Sequence, residues 1–109
     1  NETVVGWFNA SCTKDRALAR NYLCDYYTPE EEIHKPFIAL ALGSVARYCI
    51  VPLQDYLGLD NDCRINKPST IGCNWRWRAS KRQFSRELVH EIKALTIRYG
   101  RMNWQNAAV

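Results

Sequence analysis

The chain has 109 residues, 47% apolar and 24% charged, with a net charge of +4. This is one domain's worth of globular composition, too apolar for a disordered segment and without the long apolar run that a membrane span needs. Five cysteines with no Cys-x-x-Cys pair, beside two isolated histidines, argue against zinc; no metal or cofactor is expected, and the odd count reads as free thiols in a reducing compartment.

Residues 1–8 read as an entry segment closing on Gly6-Trp7-Phe8. The first residue is Asn, not Met, so the chain is expected to begin inside something longer unless processing or the choice of boundaries set that end. Thr13 is placed to cap a helix over 14–27, with Asp15 in the first turn. Leu18, Tyr22 and Tyr26 would form its apolar face. Thr28-Pro29-Glu30-Glu31 is a second start signal, for a short piece that Pro36 interrupts. His34 follows the acidic run and reads as a surface residue.

The next helix is expected over 36–47. Phe37, Ile38, Leu40, Leu42 and Val45 with three alanines leave it almost no polar face, a pattern that a large body normally buries. Residues 47–51 turn aromatic and β-branched, as in a short buried strand ended by Pro52, with Cys49 as a small buried hydrophobe. Residues 53–57 predict a helical turn that Gly58 stops. Residues 60–79 are loop-like throughout, and a loop of that length is uncommon unless functional. A last helix is expected from Ser80, with Gln83 in capping-box position. Phe84, Leu88, Ile92, Leu95 and Tyr99 make its stripe, and Gly100 its stop.

Helix, helix, buried strand, polar loop, amphipathic helix is the rhythm of an α/β barrel segment. The expected fold class is therefore α/β, mostly helical with one buried strand. A single strand cannot form a sheet, which makes residues 1–109 an incomplete domain on this reading. A largely helical free-standing domain, its strand misassigned, is the competing reading.

Function concentrates around the strand's end. Gln54, Asp55, Asn66 and Asn74 stand near Trp75 and Trp77. Amides and carboxylates bond sugar hydroxyls, and indole faces cover the apolar side of a pyranose. The bland alternatives are that Asp55 caps its own turn and that Asn66 and Asn74 brace the loop. Trp75 and Trp77 alternate with Arg76 and Arg78, so in extended backbone the two rings point to opposite sides, one to substrate and one to the core. Two non-enzymatic readings stay open. The stretch from Arg64 to Arg86 holds seven cations and no acid, which with the Trp rings could serve a small nucleic-acid-binding module. The apolar helix could instead be the interface of a non-catalytic interaction domain.

Several ordered blocks carry a resemblance. They are Asn1-Glu2-Thr3-Val4-Val5-Gly6-Trp7-Phe8, Gly43-Ser44-Val45-Ala46-Arg47, Pro52-Leu53-Gln54-Asp55, Arg64-Ile65-Asn66-Lys67-Pro68-Ser69-Thr70 and Gly72-Cys73-Asn74-Trp75-Arg76-Trp77-Arg78. Together they resemble the C-terminal part of the (β/α)8 catalytic barrel of 4-alpha-glucanotransferases of the amylomaltase (disproportionating enzyme) family. The resemblance implies transfer of α-1,4-glucan segments between maltooligosaccharide acceptors by a retaining mechanism. It places the nucleophilic Asp, the acid/base Glu and the stabilising Asp upstream of Asn1, so it assigns this chain no catalytic residue. It implies Asn1, Gln54, Asp55, Asn66, Asn74 and Trp75 as substrate-side residues, with Trp75 rather than Trp77 facing sugar. The implied partners are an α-1,4-glucan or maltooligosaccharide and the remainder of the parent barrel, with no membrane and no nucleic acid. The implied compartment is the cytoplasm, or a plastid in a plant. Two positions depart from the family's usual form: Ile65 stands for Met, and Ser69 stands for Gly, a change that matters if the backbone there has a positive φ.

Overall fold

Thr3 opens the first helix. Its Oγ1 accepts the Gly6 N–H at 3.1 Å, filling one of the donor positions that a helix start leaves open. The entry segment is therefore helical: α1 runs Val4–Ala10 and buries Val5, Gly6 and Phe8. The structure is a computed structural model and describes residues 2–103.

Helix α2 spans Thr13–Leu23 and is shorter than its pattern predicts, ending at Cys24 in the left-handed region at φ 54°. Asp25 then takes the backbone N–H groups of Tyr27 and Thr28 at 3.1 and 3.0 Å. A side chain that supplies these bonds offers the backbone an alternative to another helical turn. The stripe Leu18–Tyr22–Tyr26 faces solvent. The covered side is Ala19 and Leu23, with the Arg20 guanidinium 5.5 Å over the Phe8 ring. Periodicity finds a stripe; which stripe is covered depends on the neighbour.

Glu30–Glu32 form only a 3-10 turn. Helix α3 follows at His34–Leu42, earlier at both ends than expected. Pro36 lies inside the first turn, where its missing N–H costs nothing. The helix ends at Gly43, with the Tyr99 ring packed where a Cβ would sit. Only one face, His34, Ile38 and Leu42, is buried, while Leu40 and Ala41 are exposed. His34 is thus an interior residue and not a surface one. Helix α4, Leu53–Tyr56, is the expected short turn, and Gly58 follows it at φ 68°.

Ser80 and Gln83 do meet, with the Ser80 N–H donating to Gln83 Oε1 at 2.8 Å, but they close a 3-10 turn at Lys81–Gln83. Helix α5, Arg86–Arg98, begins after Ser85, whose Oγ accepts the Leu88 N–H at 3.1 Å. Phe84 therefore falls off the stripe and is exposed, while Leu88, Ile92, Leu95 and Tyr99 lie on the covered side.

Helix α3 is the hub, packing against α1, α2, α4 and α5. The densest core is Val5, Phe8 and Ile33, with Ala19, Leu23 and Phe37 against it. Trp7 meets Phe37 edge-on at 5.9 Å.

The α/β expectation is not met. Among the described residues there is no strand and no sheet, so the fold is all-α and the chain is not a piece of a (β/α)8 barrel. Residues 47–51 are irregular, with Tyr48 77% and Ile50 91% exposed and Cys49 only half-buried. A strand exists only where a second strand pairs with it, and none does so here. Arg101 instead crosses to this region, its guanidinium donating to the carbonyls of Leu42, Ser44 and Ala46 at 2.7, 3.3 and 2.9 Å.

The chain exposes 8425 Å². A compact monomer of its mass exposes about 6,200 Å². Its radius of gyration is 15.3 Å, against about 13 Å for a compact chain of this length.

Candidate functional site

Pro52 precedes α4 in an extended conformation and starts it cleanly. One short turn then buries two consecutive polar residues, Gln54 at 3% and Asp55 at 8% exposure. Asp55 Oδ1 accepts the Val4 N–H at 2.8 Å, placing a carboxylate at the N-terminus of α1, where the helix dipole favours negative charge. The capping role of Asp55 is real, but the helix it caps is a distant one.

A second tie lies beside the first. Asn61 Oδ1 accepts the Thr3 N–H at 3.0 Å. Asn61 begins the 3-10 turn Asn61–Cys63, which Asp60 caps through the Asp62 N–H at 3.0 Å. The chain leaves this turn through Arg64, whose Nε donates to the Asn66 carbonyl at 3.0 Å. It returns at Trp75, whose N–H donates to the Ile65 carbonyl at 2.6 Å. Asn74 holds the intervening loop from inside: its Oδ1 accepts the Lys67 N–H at 2.9 Å and its Nδ2 donates to the Thr70 carbonyl at 3.1 Å.

These segments enclose an open cleft of about 130 Å³. It is lined by Glu2 and Thr3, by Pro52, Gln54 and Asp55, by Arg64, Ile65 and Asn66, and by Trp75. The Trp75 ring is 70% exposed and offers an uncovered aromatic surface at the edge. Trp77 is half-buried and borders a neighbouring hollow with Pro52, Leu53 and Ile65. The structure therefore brings together Gln54, Asp55, Asn66 and Trp75. Asn74 stands outside the cleft as a loop brace, and Asn1 lies outside the described residues.

Sequence reading missed Glu2, Thr3, Asn61 and Arg64. A signal existed for Thr3, a Thr three residues before a buried glycine; Asn61 in Asp60-Asn61-Asp62 looks like any polar loop. Of the basic stretch, Arg64 and Arg78 are engaged inside the loop, Arg78 Nη1 donating to the Trp75 and Trp77 carbonyls at 3.3 and 2.9 Å. Among the described residues no group of three or more His, Cys, Asp or Glu side chains could hold a metal ion, and no helix is long and apolar enough to cross a membrane.

Two carboxylates, two amides and an uncovered indole around one hollow have the chemistry of a carbohydrate-recognising surface. The chain belongs to the 4-alpha-glucanotransferase family, since the Glyco_hydro_77 family model, described as 4-alpha-glucanotransferase, matches residues 1–84. It is 42% identical over 104 residues to a 4-alpha-glucanotransferase of Synechocystis, covering 93% of this chain and 20% of that protein. It is 37% identical to the chloroplastic/amyloplastic 4-alpha-glucanotransferase of Solanum tuberosum, covering 94% of this chain and 18% of that one. The structure of amylomaltase from Streptococcus agalactiae in complex with acarbose superposes with a TM-score of 0.84 at 31% identity, over 94% of this chain and 20% of that one. The chain spans about 20% of the length of the relatives it matches.

Proposed function

We propose that this chain is one part of a longer 4-alpha-glucanotransferase, which transfers α-1,4-glucan segments between maltooligosaccharides with retention of configuration. Its own share of that work is to hold sugar. Gln54 and Asp55 bond hydroxyls from the inner side of the cleft, Asn66 bonds from the opposite limb, and Trp75 stacks on a pyranose face. Asn74 contributes by keeping Trp75 and Asn66 in one loop, and Asn1 joins the site as the residue next to the family's stabilising Asp. Bond cleavage is assigned to the three carboxylates that the family carries upstream of Asn1. The compartment is the cytoplasm or a plastid, the latter being where the potato relative is placed by its name.

The convergence of Gln54, Asp55, Asn66 and Trp75 on one cleft, in a chain of this family, carries the reading. The surface in excess of a compact monomer, about 2,200 Å², supports a further partner in the same polypeptide, because it exceeds what a standard protein–protein interface buries in total.

Calorimetric titration of the full-length enzyme with maltoheptaose tests the cleft. Trp75→Ala is expected to weaken binding by about 1–3 kcal/mol, roughly 5- to 150-fold, with an unchanged melting curve because the ring is largely exposed. Equal affinity in the variant would refute the stacking role. The 109 residues alone are expected to show no disproportionation of maltooligosaccharides, and turnover above a buffer blank would refute the assignment of the chemistry to upstream carboxylates.

A further inference from the structure

Between the two limbs of the cleft runs one side chain that does not itself line it. Asn61 Oδ1 takes the Thr3 N–H at 3.0 Å and lies 3.4 Å from the Thr3 hydroxyl, while its Nδ2 points toward Glu2 Oε1 at 3.4 Å. Three residues further on, Arg64, Ile65 and Asn66 form the other limb. The amide lies so close to α1 that a Cβ at Gly6 would collide with it, so a glycine at that position is what lets the two segments touch.

We propose that Asn61 is a positioning residue that sets the width of the cleft by tying the Glu2–Thr3 limb to the Arg64–Asn66 limb. This rests on the reading of the cleft as a glucan site. The neighbouring bond from Val4 to Asp55 at 2.8 Å fixes the start of α1 to α4, so it cannot substitute for a tie to the 3-10 turn. With Asn61 gone, Thr3 keeps its helix and its cap on Gly6 but loses its link across the cleft. Arg64, Asn66 and Trp75 then no longer face Thr3, Gln54 and Asp55 at a constant spacing. A site that must bond several hydroxyls at once loses affinity when its donors and acceptors are no longer held in place.

Three variants of the full-length enzyme test this by calorimetry with maltoheptaose and by thermal melting. Asn61→Ala removes all three contacts and is expected to lower affinity about tenfold. Asn61→Asp keeps the acceptor for the Thr3 N–H and is expected to bind more tightly than Asn61→Ala, though below the parent, because its half-buried carboxylate replaces the amide that faces Glu2 Oε1 at 3.4 Å. Asp60→Ala breaks the cap of the same 3-10 turn without touching Thr3, and is expected to lower the melting temperature at constant affinity. If Asn61→Ala does not fold, Asn61→Ser carries the same comparison with a side chain too short to span the gap. Parent-like binding by the Ala or Ser variant overturns the proposal. So does an equal loss of affinity in Asp60→Ala, because the turn's stability would then be the cause. Parent-like affinity in Trp75→Ala overturns the glucan reading of the cleft itself, and this proposal with it.

Discussion

Ser69 holds φ at 62°, in the left-handed region that an L side chain occupies at a cost of about 1–2 kcal/mol. The backbone takes the conformation that glycine prefers, at the position where the resemblance implies a glycine. Ser69→Gly is expected to raise stability by roughly 1 kcal/mol, offset in part by the greater freedom of the unfolded chain. A lower melting temperature would show that the Ser69 side chain contributes more than its backbone costs. Trp75 sits at φ 63° for a different reason. Its N–H must reach back to Ile65 while its ring stays at the cleft, and nothing in Asn74-Trp75-Arg76 announces that turn. The extended geometry behind the Trp75/Trp77 alternation therefore does not hold at Trp75. The two rings still separate, one exposed and one half-covered.

At the scale of elements, the junction of α3 and α4 is the most constrained contact. His34 is buried at the start of α3, and its Nδ1 has no hydrogen-bond partner among the described residues. A Cβ at Gly58 would lie 2.5 Å from the imidazole Cε1, so the ring packs against the backbone that ends α4. Burial holds the His34 pKa below its usual 6.5; Lys35 lowers it further, and Glu91, Glu32 and Asp55 oppose this. Because the folded-state pKa is depressed, the unfolded chain binds the proton more tightly. The stability is fully present above pH 6.5 and is lost as pH falls from there through the depressed value. Melting curves between pH 8 and 5 are expected to show this loss in the parent and a flatter profile in His34→Phe. Parallel profiles would place the pH dependence on other groups. Among the elements, α4 and the stripe of α5 were legible because each depends on local signals. The extent of α2 was not, because Asp25 competes for the backbone from outside the helix. The start of α5 moved because a valid capping box can close a 3-10 turn as well as a helix.

At the scale of the molecule, Tyr27, Val45, Ile50 and Ile71 are almost wholly exposed, and Tyr48 is largely so. A chain that leaves this much apolar surface in water gains less from folding than its composition allows. The isolated 109 residues are expected to melt broadly and to associate at micromolar concentration, read by calorimetry and sedimentation velocity. A monodisperse monomer with a sharp transition would contradict that expectation.

What the sequence determined by itself is what neighbouring residues can settle: the turn of α4 between Pro52 and Gly58, the stripe Leu88–Ile92–Leu95–Tyr99, and the motif blocks that mark the family. Gln54, Asp55, Asn66 and Trp75 could be singled out because their chemistry is written in their residue types. The tertiary structure decided what depends on a partner remote in the chain. It left 47–51 irregular and unpaired, because among the described residues no strand reaches that segment. It turned α2 to cover Ala19 and Leu23 instead of its larger stripe, because Phe8 and Ile33 stand on that side. It drew Thr3 and Asn61 together across 58 residues, a bond that no local pattern encodes because each partner alone is an ordinary polar residue awaiting a match.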